Sequence, residues 1–121
     1  MVKPSVYKYI DYRQFLTDWH IAIKKEKPIF THAYICNKLR LHTRSYFGDI
    51  LKGRRVLGSE LFKRIVKLIG FSKAESDYFN AIVNYGNASN DEVKEHWFEQ
   101  LVLLNNTPHK IIDKKTYQFL P

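Results

Sequence analysis

The chain has 121 residues, a net charge of +8, 45% hydrophobic residues, five glycines and four prolines. That composition suits one folded domain, or one with an appended helical layer, and excludes disordered, collagen-like and linker classes. The longest aliphatic run, Leu101 to Leu104, is far too short for a membrane span, Met1 to Ser5 shows no secretory signal, and the lone Cys36 permits neither an internal disulfide nor a multi-cysteine zinc site, so a cytoplasmic protein with no membrane contact is expected.

Apolar periodicity predicts helices almost throughout, and hence an all-α fold. Tyr12, Phe15, Leu16, Trp19 and Ile23 share one face of a first helix from Asp11 to about Lys27, closed by Pro28. Thr31 suits the N-cap of a short second helix that buries Ile35, Cys36 and Leu39. After a turn at Leu41-His42, Thr43 is expected to cap a third helix with Phe47, Ile50 and Leu51 inward, stopped by Gly53. Ser59 is expected to cap a fourth, with Leu61, Phe62, Ile65, Val66 and Ile69 inward and Gly70 at its end. Ser72 caps a fifth with Tyr78, Phe79, Ile82 and Val83 inward, and Asn90 a sixth with Val93, Trp97, Leu101 and Leu104 inward. Beyond Thr107-Pro108 the pattern is too short to assign, and there is no internal repeat.

Charge is concentrated rather than spread. Residues 31–71 carry nine basic and two acidic side chains, whereas residues 72–106 carry two basic and six acidic ones. A block of +7 beside one of −4 points to a polyanionic partner for the first and a different surface for the second.

Two short helices, a tight turn between them, the loop Lys52-Gly53-Arg54-Arg55 and a following amphipathic helix make a recurring arrangement. Ile35-Cys36, Leu39, Leu41, Thr43, Ser45-Tyr46-Phe47, Ile50, Gly53-Arg54-Arg55 and Leu61 to Ile69 resemble the lambda-repressor-like helix-turn-helix. The turn position that glycine often takes in that family is Arg40 here, and the turn is one residue longer. Tyr9 to Leu16, the Lys52 to Arg55 loop and Glu75 to Phe79 are further similar to a family of bacterial regulator-type proteins that joins such a domain to a C-terminal domain of unknown function. The resemblance implies a DNA-binding domain over residues 1–71. Residues 72–121 would be a helical extension serving dimerisation or a link to a further domain.

In such an arrangement the second helix enters the major groove by its N-terminal residues, where each base pair shows a distinct hydrogen-bonding pattern. Arg44, Ser45, Gly48 and Asp49 are the expected base-reading positions, with Arg44 suited to a guanine edge. Gly48 either permits close approach of the backbone or is simply tolerated, and Asp49 either accepts from a cytosine amine or pairs locally with Lys52 or Arg54. Arg40, Thr43, Lys52, Arg54 and Arg55 are expected phosphate contacts, with Thr31 and His32 offering backbone N–H groups. Tyr46 reads as a core-edge residue rather than a base-stacking one.

Nothing in the sequence points to catalysis. The five histidines lack metal-ligand spacing, and Glu92, Glu95, His96 and Glu99 read as a solvated acidic face. No phosphate-binding loop, nucleophile elbow or His-Glu-x-x-His is present, so no enzyme, cofactor or metal is expected. The sixth helix has more apolar residues than one face buries, making Phe98, Val102 and Leu103 candidate contacts of a homodimer. The partner expected is double-stranded DNA. The rival function is a helical adaptor that binds proteins.

Overall fold

Helix caps and apolar stripes account for nearly every element of the computed structural model, which describes residues 4–105. A 3-10 turn (Val6–Lys8) precedes α1 (Tyr12–Glu26), α2 (His32–Lys38), α3 (Tyr46–Leu51), α4 (Ser59–Ile69), α5 (Lys73–Asn87) and α6 (Asp91–Asn105). Among the described residues there is no strand, and the fold is all-α.

Asp11 caps α1, its carboxylate accepting from the backbone N–H groups of Arg13 and Gln14. Thr31 caps α2 through the N–H of Tyr34. Ser72 and Glu75 form a reciprocal capping box at α5, and the side chain of Asn90 accepts from Val93 N–H at α6. Gly70 ends α4 in the left-handed conformation, φ 85°, which glycine adopts at no steric cost.

One hydrophobic cluster runs from the 3-10 turn to α6. Phe15 of α1 lies against Phe79 of α5 and against Phe71, and Phe62 of α4 stacks on Phe79 with ring centroids 5.5 Å apart. Phe15 and Phe79, fully withdrawn from water, each contribute roughly 1.5–3 kcal/mol, and the partly buried Phe62 and Phe71 less. Residues on both sides of the expected 71/72 boundary build this cluster, α1 and α5 most directly. The N-terminal segment is tied in by hydrogen bonds: Tyr78 Oη donates to Tyr9 O and Asn105 Nδ2 to Tyr7 O. Sequence periodicity gives no sign of this 3-10 turn, whose Val6 and Tyr7 are buried.

Three local expectations are corrected. α3 begins at Tyr46, with Ser45 rather than Thr43 at its N-cap and no side-chain cap bond. α4 begins at Ser59 itself, with Gly58 as its N-cap. In α6, Leu101 is buried and Trp97 and Leu104 partly so, but Val93 is exposed, because α6 reaches the core only in its later turns. The segment after Thr107-Pro108 lies outside the described residues.

No helix among the described residues is long and apolar enough to cross a membrane.

Candidate functional site

Five basic residues of the 31–71 block, Arg40, Arg44, Lys52, Arg54 and Arg55, lie in the chain on either side of α3, and side chains of α1 and α2 hold that short helix in place. At its start, the buried thiol of Cys36 accepts from Phe47 N–H at 3.5 Å and donates to Arg44 O at 3.5 Å. A sulfur from α2 therefore meets the first-turn N–H that a Ser45 hydroxyl could have served, and Ser45 makes no side-chain cap bond. Thr43, Arg44 and Ser45 are exposed in the turn leading into α3.

At the other end, Gly53 (φ 82°) closes α3, its N–H donating to Ile50 O and that of Arg54 to Asp49 O. Arg13 of α1 donates to both Ile50 O and Arg55 O, tying α1 to the end of α3 and to the loop beyond. Asp49 lies 3.7 Å from the Arg54 guanidinium and 3.8 Å from that of Arg55. Of the two readings open for Asp49 the local ion pair is the one formed, with Arg54 and Arg55 rather than Lys52. Arg55 also covers the ring of Tyr46 at 4.2 Å, and that ring packs at the edge of the core. Lys52 and Arg54 are exposed.

Gly48 does not face outward. It is buried against α2, and a Cβ there would meet His32 Nδ1 at 3.1 Å. The missing side chain makes room for the His32 ring, so Gly48 is removed from the base-reading set. That ring lies 4.7 Å from His20 and 5.5 Å from Phe47, while His20 Nε2 is 2.8 Å from Phe30 O. Burial holds the His32 imidazole below its ordinary pKa, and His20, Lys24 and Lys52 push it the same way. Thr31 is also removed from the phosphate set: its N–H donates to Ile29 O at 2.7 Å and its hydroxyl serves the cap.

The turn after α2 explains Arg40. Leu41 N–H donates to Cys36 O and Arg40 N–H to Asn37 O, a Schellman closure that requires a left-handed residue between. Arg40 occupies that position at φ 59°, the only non-glycine residue with positive φ among those described. Arg64 of α4 donates to Leu39 O at 3.1 Å and pins the same turn.

Sequence reasoning passed over Arg13, Arg64 and the capping role of Cys36. The one available signal was Arg13, a cation next to Tyr12 that borders the apolar stripe of α1.

On α6, Phe98 is half-buried against Tyr85 at 5.9 Å and Val102 packs partly on the core, while Leu103 is 64% exposed. No group of three or more His, Cys, Asp or Glu suited to a metal occurs among the described residues.

No family model, curated protein or solved structure matches the chain.

Proposed function

We propose that this chain is a cytoplasmic, sequence-specific double-stranded DNA-binding domain of a bacterial transcription regulator, with α2 and α3 as the two helices of a helix-turn-helix. The observation that carries the reading is the exposure of Arg40, Arg44, Lys52 and Arg54 around a short helix pinned by Cys36 and Arg13, with Arg64 holding the turn that precedes it. Preorganised cations are what a phosphate backbone rewards, since each contact releases a condensed counterion. Arg44 and Ser45, exposed at the entry to α3, are the base-reading candidates, with Asp49 reduced to orienting Arg54 and Arg55. Arg40, Thr43, Lys52, Arg54 and Arg55 serve phosphates, joined by the backbone N–H of His32.

The acidic residues of α6 are repelled by such a ligand, and of the candidates Phe98, Val102 and Leu103 it is Leu103 that is exposed and available for a twofold contact. That exposed leucine also favours the second reading, a helical adaptor that binds another protein.

Salt titration of duplex binding tests the proposal. Engagement of roughly four to six phosphates per chain gives a log–log slope of about −3.6 to −5.4, a loss of roughly 10²–10³-fold in affinity between 50 and 200 mM salt. Affinity unchanged across that range contradicts it and moves the weight to the adaptor.

A further inference from the structure

α4 and α5 are joined through the turn at Gly70 to Ser72, so the start of α4 and the end of α5 form the open end of the pair. A groove of about 330 Å³ lies there, at the lower edge of the range for small-molecule sites. Its apolar side is Leu57, Phe62 and Val83, and its polar side is Asn80, Asn84 and Asn87, one stripe of α5. Ser59 and Lys63 stand at its rim on α4.

Three asparagines on one stripe need a reason, because asparagine is a poor helix former that competes for backbone hydrogen bonds. Asn87 has one. Its Oδ1 accepts from Tyr12 Oη at 2.9 Å and its Nδ2 donates to Leu57 O at 3.1 Å, which anchors the chain entering α4. Asn80 and Asn84 have no such duty. Asn84 Nδ2 donates to Asn80 O and Asn80 Oδ1, at 2.8 and 3.1 Å, and to nothing on another element. Asn84 Oδ1 and Asn80 Nδ2 take part in neither bond, which leaves an acceptor and a donor on neighbouring residues that line the groove.

An acceptor and a donor side by side, opposite an apolar floor, match a ring that carries hydroxyls on its edge and C–H groups on its face. No carboxylate lines the groove, and the Lys63 ammonium at its rim meets the exposed Glu60 at 3.8 Å, a weak surface pair that an anionic group in the groove can displace. We propose that this groove binds a small anionic polyol, of the class of sugar phosphates and sugar acids, and that its occupation alters DNA affinity. The coupling follows from the contacts of Leu57. This residue lines the groove, its N–H donates to Tyr12 Oη at 3.4 Å, and it follows the loop whose Arg55 carbonyl Arg13 holds. The binding site stands without the DNA-binding proposal; only the coupling rests on it.

The test uses isotope-labelled full chain titrated at constant ionic strength with glucose phosphate, glucuronate and glucose, read by NMR of the asparagine side-chain amides. Saturable shifts at Asn80 and Asn84 are expected with at least one of the two anions, and which anion acts separates a phosphate from a carboxylate ligand. Glucose is expected to bind about tenfold more weakly, having lost the charge-assisted contact. Asn84→Leu and the surface variant Lys63→Ala are each expected to weaken binding about tenfold. No saturable shift with either anion, or an affinity that neither substitution changes, overturns the site. With the anion saturating, duplex affinity is expected to change at least about threefold in the parent and not in Lys63→Ala. Unchanged duplex affinity beside intact anion binding overturns the coupling alone, and failure to bind any duplex condemns the DNA-binding proposal while the NMR result still decides the site.

Discussion

Replacing Arg40 with glycine separates what its backbone costs from what its side chain does. An L-residue held in the left-handed region costs roughly 1–2 kcal/mol, and Arg40 sits at φ 59° to complete the turn after α2. Glycine removes that strain but loses roughly 0.5–1 kcal/mol of chain entropy on folding. Arg40→Gly is therefore expected to stabilise the protein by a net of roughly 0.5–1 kcal/mol, or about 2–8 °C in Tm for a domain of this size. Duplex binding moves the other way, because one phosphate contact is gone, and the salt slope becomes shallower by about 0.9. Arg40→Ala is the control: it keeps the strained backbone, leaves stability nearly unchanged and shows the same shallower slope. Thermal unfolding by circular dichroism and fluorescence anisotropy over a salt series read the two effects on the same samples. An Arg40→Gly protein less stable than the parent refutes the strain argument, and an unaltered slope removes Arg40 from the interface.

Gly86→Ala is expected to destabilise by about 1–3 kcal/mol, measured by denaturant unfolding, because the new Cβ lies 2.9 Å from the ring of Tyr12, buried and bonded to Asn87. The lowered pKa of His32 makes the unfolded chain take up the proton more readily than the folded one. Its contribution to stability is present above the ordinary value of 6.5 and is lost as pH falls through 6.5 towards the folded-state value, a slope that His32→Gln should remove from a pH series of unfolding curves. Arg44→Ala is expected to relax the preference at particular base pairs, at a cost of roughly 1–3 kcal/mol on the preferred site. Arg54→Ala is expected to weaken every duplex about equally; competition binding against point-substituted duplexes distinguishes the two.

Local chemistry was legible in the sequence. Thr31, Ser72 and Asn90 cap the helices expected of them, and Gly53 and Gly70 take the positive φ that ends α3 and α4. What failed depends on neighbours distant in the chain. Thr43 has the right side chain for a cap, but α3 starts only at Tyr46, where Cys36 of α2 meets Phe47 N–H, and no local pattern shows that. Gly48 falls on the outward stripe of an isolated helix, yet the His32 ring fills the space beside it. Burial of Val6 and Tyr7 depends on α5 and α6, and the polar anchors Arg13 and Arg64 act on carbonyls far along the chain. The charge block from residue 31 to 71 was plain in the sequence, whereas the division of its arginines between anchoring and exposure came only from three-dimensional contacts.

Selection of bound sites from a pool of random duplexes, at a stated salt concentration, tests the central claim of sequence-specific DNA binding most directly. The parent chain is expected to enrich one short motif, and Arg44→Ala to enrich a version degenerate at one or two positions while remaining folded by circular dichroism. Recovery of the random pool without any enriched motif contradicts the claim.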